Sequence, residues 1–80
     1  MLTYYPESST LVWTWYCANP DHWVLLSSDD QFGGYEIEGS AAGNEREYAD
    51  PTSGWWKIRG LDALSDPVTD DSAPVAVENG

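Results

Sequence analysis

The alternation of apolar and polar positions along the chain predicts short β-strands. Residues 10–18, TLVWTWYCA, are rich in β-branched and aromatic side chains. Strand alternation places four of their apolar side chains on one face: Leu11, Trp13, Trp15 and Cys17. Residues 19–21, NPD, have the composition of a turn, and residues 23–26, WVLL, form the next apolar run. We therefore predict an antiparallel hairpin made of residues 10–18 and 23–26.

A third strand is predicted after the glycine pair at positions 33 and 34. In residues 35–38, YEIE, alternation points Tyr35 and Ile37 inward and the two glutamates toward solvent, and Gly39 ends the strand. Residues 40–50, SAAGNEREYAD, have no clear period and form either a loop or one short helix.

Two further strands complete the predicted sheet. Residues 55–59, WWKIR, alternate so that Trp56 and Ile58 share the inner face, opposite the remaining three side chains. Residues 2–5, LTYY, have the composition of an edge strand, which Pro6 ends because proline lacks the backbone donor.

The fold class that follows is mainly β. We predict a small antiparallel sheet or half-open barrel of four to five strands, with possibly one short helix. We predict that residues 1–65 form a single β-rich domain. Residues 66–80 contain Asp, Ser, Pro, Ala and Val without any aromatic or basic residue, so we predict a disordered acidic tail there.

Large aromatic side chains compensate for the small size of this 80-residue chain. A domain of this length buries only roughly 60% of the surface of its unfolded chain. All five tryptophans, all five tyrosines and the single phenylalanine lie within the first 56 residues, and each can bury about 150–250 Å². The composition therefore supports a real core without the help of a disulfide, since there is only one cysteine.

Charge is the feature with the clearest bearing on function. Fourteen Asp and Glu oppose three Lys and Arg, which gives a formal net charge of −11. Proteins that bind phosphates directly use clustered basic side chains, so direct binding of nucleic acid or of an anionic membrane is disfavoured. A partner that is steered by charge is expected to be basic.

Seven of the carboxylates fall within residues 29–50. A duplex carries about one negative charge per 1.7 Å, so the ten acids of residues 1–65 equal the charge of about 17 Å of DNA. We therefore expect an acidic inhibitor that mimics nucleic acid and blocks the DNA- or RNA-binding site of a basic protein, as phage counter-defence proteins do. The predicted binding residues are Asp29, Asp30, Glu36, Glu38, Glu45, Glu47, Asp50 and Trp55.

Three other interpretations of these residues stay open. The acids can serve only to keep the protein soluble, as in halophiles. Glu36 and Glu38 can pair across the sheet with Lys57 and Arg59, which would remove them from a binding surface. Exposed aromatic side chains, with Trp55 as the first candidate, can instead form the centre of an interaction module or virion component.

A short motif adds to the third interpretation. Residues 54–57, GWWK, follow an acidic region and resemble the tryptophan strand that lines the peptide groove of SH3 domains. The resemblance covers four residues and implies a small SH3-like barrel with Trp55 in an interaction site. The closing Pro-x-x-Tyr element of that family is missing, and its opening aromatic-acidic motif is not evident near residues 4–5.

Catalysis, metals and cofactors are not expected. His22 is the only histidine and lies in a predicted turn, while Cys17 is expected to be buried and inert. The spacing of the acids at 29–38 does not match an EF-hand loop. A single cysteine, no secretory signal and no long apolar run are typical of a soluble cytoplasmic protein, in the host cytoplasm if a phage encodes it.

Overall fold

The computed structural model describes residues 1–78, and its regular structure consists of β-strands. A three-stranded antiparallel sheet has the order β1-β2-β5, and a four-stranded antiparallel sheet has the order β4-β3-β6-β7. No helix occurs in this range, and the two sheets do not close into a barrel. The strands are β1 (Leu2–Tyr5), β2 (Thr10–Trp13), β3 (His22–Ser28), β4 (Glu36–Ala42), β5 (Glu47–Ala49), β6 (Gly54–Leu61) and β7 (Val75–Val77). The predicted mainly β, antiparallel fold class is confirmed.

The core lies between the two sheets and is rich in tryptophan. Trp13 and Trp23, from opposite sheets, meet edge to face with ring centroids 5.9 Å apart, and Trp15 meets Trp23 at 5.7 Å. Trp56 and Ile58 of β6 are buried, as their alternation predicts. The buried members of this cluster are Leu2, Leu11, Trp13, Trp23, Leu25, Ala41, Trp56, Ile58 and Val77.

The predicted hairpin of residues 10–18 and 23–26 does not form. β2 ends at Trp13 and pairs with β1 on one side and β5 on the other, so both of its edges are occupied. Residues 14–21 then cross to the four-stranded sheet, and Cys17 is exposed in this connection instead of buried. Alternation identified the inward positions Leu11 and Trp13 correctly, but it carries no information about which strands pair.

β4 differs from its predicted form because of a β-bulge. Leu25 pairs with Gly39 but Leu26 pairs with Ile37, so Glu38 is the extra residue. The shift leaves Ile37 60% exposed instead of buried, and the strand continues past Gly39 to Ala42. Residues 40–50 contribute the end of β4, a turn and β5, and no helix within the described chain.

Residues 67–78, predicted to be disordered, lie along β6. Val68 N–H donates to the Gly60 carbonyl at 2.9 Å, and Ser72 N–H donates to the Ile58 carbonyl at 3.0 Å. β7 then pairs directly with the start of β6. Composition pointed to disorder, but this segment covers hydrogen-bonding groups that β6 would otherwise expose as an open sheet edge. Residues 79–80 of the predicted tail lie outside the described residues.

Candidate functional site

Two of the three basic side chains converge on a single carboxylate. Lys57 Nζ lies 2.7 Å from Asp71 Oδ2, while Arg59 donates from Nε to Asp71 Oδ1 at 2.6 Å and from Nη2 to Oδ2 at 2.9 Å. The hydrogen bond from Arg59 is the largest cause that lowers the pKa of Asp71 from 3.8 to about 2. Lys57 Nζ also lies 4.3 Å from the ring centroid of Tyr35. Both cations are therefore satisfied within the chain.

The third basic side chain, Arg46, is bound to neutral groups. Its Nη1 donates to the carbonyls of Gly43 at 2.9 Å and Glu45 at 2.7 Å, and its Nη2 donates to the side-chain oxygen of Asn19. The guanidinium carbon lies 5.6 Å from the ring centroid of Trp23. Arg46 therefore stabilises the turn after β4. It forms no ion pair with a carboxylate among the described residues.

These contacts leave all but one of the acidic side chains in residues 1–78 without a Lys or Arg partner. All fourteen carboxylic side chains fall within residues 1–78, and Asp71 is the one among them that pairs with Lys or Arg. Asp21 contacts the ring of His22 at 2.8 Å. The alternative in which Glu36 and Glu38 pair with Lys57 and Arg59 does not occur, because β3 lies between β4 and β6 and Asp71 occupies both cations.

Four of the seven predicted acids gather at one end of the four-stranded sheet. Asp29, Glu36 and Glu38 line a shallow depression of about 370 Å³ together with Ser27, Ser28, Gly34, Thr52 and Ser53. Asp30 is the next residue after Asp29, and all four acids are exposed. We call Asp29, Asp30, Glu36 and Glu38 the acidic end. The bulge at Glu38 and the turn after β3 bring these side chains together.

Trp55 borders the acidic end. It is half-buried and lines a second depression of about 340 Å³, to which Asp29 and Glu78 also contribute. Glu78 was not among the predicted site residues, because it belongs to the segment that composition marks as disordered. No sequence signal would have placed it beside Asp29, since its position depends on the pairing of β7 with β6.

The other three predicted acids lie elsewhere. Glu45 follows the far end of β4, and seven strand residues span about 23 Å from the Glu36 end. Glu47 belongs to β5 on the three-stranded sheet, where it pairs with Val12. Asp50 follows β5 in a left-handed conformation with φ 55°, and its N–H donates to the Ser9 carbonyl at 2.7 Å. All three are exposed, but they do not belong to the acidic end.

The loop that carries Asp29 and Asp30 is fixed by hydrogen bonds from its own side chains. Asp30 Oδ1 accepts from Phe32 N–H at 3.0 Å, and Ser28 Oγ accepts from Asp30 N–H at 3.0 Å while donating to the Gly33 carbonyl. Tyr35 Oη donates to the Gln31 carbonyl at 2.8 Å. Burial, and secondarily the charge of Asp30, raises the pKa of Tyr35 above its usual 10.0. The loop therefore presents its carboxylates from a defined backbone.

Residues 1–78 hold neither a cluster of metal ligands nor a membrane-spanning helix. Within residues 1–78, no three His, Cys, Asp or Glu side chains lie close enough together to hold a metal ion. The same range contains no helix of the length and apolarity needed to cross a bilayer. No protein-family model, curated protein or solved structure significantly matches the chain. Its function must therefore be inferred from its own surface.

Proposed function

We propose that this protein is an acidic inhibitor that mimics nucleic acid and occupies the DNA- or RNA-binding site of a basic protein. One observation carries the proposal: the chain binds all three of its cations internally while thirteen of its fourteen carboxylates have no Lys or Arg partner in residues 1–78. A protein that used acids only for ordinary surface pairing would distribute its few cations among them. Here the negative field is left uncompensated.

The density of charge is comparable with that of a duplex. The described molecule measures 35 × 26 × 17 Å, and 35 Å of duplex carries about 21 negative charges. The net charge of −11 is therefore about half that of duplex DNA of the same length. A basic groove built for phosphates would be attracted to this surface by a field of the same sign and about half the charge, and the acidic end contributes four exposed carboxylates to it.

The partner in this proposal is a basic nucleic-acid-binding protein or complex in the cytoplasm, or in the host cytoplasm if a phage encodes the inhibitor. Steering by opposite charges speeds association far more than it slows dissociation. The association rate is therefore expected to fall steeply as salt shortens the screening length from about 30 Å at 0.01 M to about 8 Å at 0.15 M.

The first experiment is affinity capture from a lysate of the native host at low and high salt, followed by elution with duplex DNA. We expect basic proteins that bind at low salt and are released by DNA. Captured proteins that are not basic, or that DNA does not displace, would refute the mimic.

A matched pair of variants locates the surface. The triple variant Asp29→Asn, Glu36→Gln, Glu38→Gln and the triple variant Glu7→Gln, Asp66→Asn, Asp70→Asn remove the same charge from different places. Because the long-range field falls equally, a difference in affinity reports on local contacts. We expect the first variant to bind the captured protein about tenfold more weakly than the second. Equal affinities would show that the acidic end is not the contact surface.

Trp55 favours a second candidate, an interaction module centred on an aromatic side chain. It is half-buried in a depression at the sheet end, where a partner side chain can cover it. Binding of this type would be nearly insensitive to salt and would be lost on Trp55→Ala. Measuring the affinity of the partner at low and high salt therefore distinguishes the two candidates.

A further inference from the structure

The only phenylalanine of the chain is almost entirely exposed. Phe32 has 89% of its surface accessible, at the tip of the loop that follows β3. Ile37, exposed by the bulge in β4, lines the same open groove of about 730 Å³. The other lining of the groove includes Leu26, Tyr35 and the two cations that pair with Asp71, namely Lys57 and Arg59. Two exposed apolar side chains that share one groove, unlike single scattered ones, are typical of an interaction surface.

The exposure of Phe32 is built into the loop. The Phe32 N–H is held by Asp30 Oδ1, and hydrogen bonds from Ser28 and Tyr35 fix the carbonyls of Gly33 and Gln31 on either side. The backbone is thus ordered before any partner arrives, which lowers the entropy lost on binding. Rigid presentation of a large apolar side chain is the property expected of a binding anchor.

Phe32 is joined to the acidic end through Asp30, whose Oδ1 accepts a hydrogen bond from the Phe32 N–H at 3.0 Å. Phe32 follows Asp29 by three residues and Asp30 by two, and Ile37 stands between Glu36 and Glu38 on β4. We propose that Phe32, with Ile37 beside it, is the apolar anchor of the interface through which the acidic end binds its basic partner. The partner would have an apolar pocket next to its cationic surface. This inference rests on the proposed function and adds the contact that holds the complex together.

Charge selects this partner over a second copy of the chain. Two copies facing each other through Phe32 would bring two acidic ends into contact, with a net charge of −11 on each molecule. A basic protein has the opposite sign and gains from the same approach. In this arrangement the carboxylates govern the association rate and Phe32 governs the dissociation rate.

The test uses the purified protein that duplex DNA displaces in the capture experiment. Phe32→Ser should weaken its affinity about 30-fold, mainly through faster dissociation, with the salt dependence unchanged. Phe32→Leu, which keeps an apolar side chain, should recover most of the loss. Leu64→Ser is the matched control, since Leu64 is 83% exposed in the loop after β6, at the other end of the sheet. It should bind like the unmodified protein.

A second probe separates the anchor from the charged surface. A peptide of ten lysines has the charge of the partner but no pocket, so it should bind the unmodified chain and Phe32→Ser equally. If affinity for the purified partner is the same in Phe32→Ser and Leu64→Ser, or if lysine-peptide binding falls in parallel, the anchor is refuted while the mimic stands. If no captured protein is displaced by DNA, the mimic fails and the anchor with it.

Discussion

Replacing Gly43 by alanine is expected to destabilise the fold through a backbone collision. Gly43 is buried in the turn after β4, and a Cβ built there lies 1.9 Å from the carbonyl oxygen of Pro20 and 3.0 Å from that of Asp21. Ordinary contact begins at about 3.4 Å, so one backbone segment must move by about 1.5 Å. Neither neighbour is a flexible side chain that can swing away.

The displacement also breaks hydrogen bonds that the turn supplies. The Gly43 carbonyl accepts from Trp23 Nε1 at 3.1 Å and from Arg46 Nη1 at 2.9 Å. Overpacking of this kind costs about 1–3 kcal/mol, and a buried indole N–H without an acceptor costs about 1–3 kcal/mol more. We expect a loss of about 3 kcal/mol. For a domain of this size that lowers the melting temperature by about 12–24 °C.

Thermal unfolding followed by far-ultraviolet circular dichroism measures the effect, with Gly33→Ala as the control. No atom lies within 4 Å of a Cβ at Gly33, and its φ is not positive. Alanine there restricts the unfolded chain and should stabilise by about 0.4–1 kcal/mol. The two glycine substitutions therefore have opposite expected signs. Equal melting temperatures would refute the close approach of Pro20 to this turn.

Three further predictions concern stability. Asp71→Asn should lower the free energy of unfolding in urea by about 1 kcal/mol at pH 7. Because the pKa of Asp71 falls from 3.8 to about 2 on folding, this contribution is complete above about pH 5 and is lost toward pH 1. A difference between the variant and the unmodified protein that stays constant down to about pH 1 would contradict this reasoning. In the same assay, Trp23→Phe should destabilise the fold by about 1–2 kcal/mol more than Trp13→Phe. The reason is that Trp23 Nε1 donates to a carbonyl, whereas Trp13 Nε1 is buried without an acceptor in the described structure. Equal losses of unfolding free energy in the two variants would contradict this. Raising NaCl from about 10 mM to about 150 mM should raise the urea midpoint, because screening weakens repulsion among the carboxylates, and an unchanged midpoint would argue against an uncompensated field.

The inward positions of several strands could be predicted from sequence because burial follows local alternation. Leu11, Trp13, Trp56 and Ile58 are all buried as their patterns indicate. The pairing of strands could not be predicted in the same way. β2 and β3 are adjacent in sequence but belong to different sheets, since β5 competes for the edge of β2. Such competition depends on residues far apart in the chain.

The candidate site was predictable in composition but not in arrangement. The density of acids at residues 29–50 is visible in the sequence, and four of the seven do gather at one end of the sheet. Their separation from Glu45 depends on the path of β4. The exposure of Ile37 depends on the bulge at Glu38, which moves it to the opposite face from the one that alternation assigns. A one-residue insertion in a ladder leaves no reliable mark in the sequence.

The contact between β1 and β7 has a consequence for how the chain folds during its synthesis. These strands lie at opposite ends of the described sequence, yet they contact each other where the two sheets meet. The ribosome must therefore release residues 75–77 before this seam can close. Until then the growing chain exposes tryptophan-rich strands with unpaired edges, which is the state most prone to aggregation. The strong negative charge then has a second benefit, because nascent chains that repel one another remain apart until β7 has been synthesised.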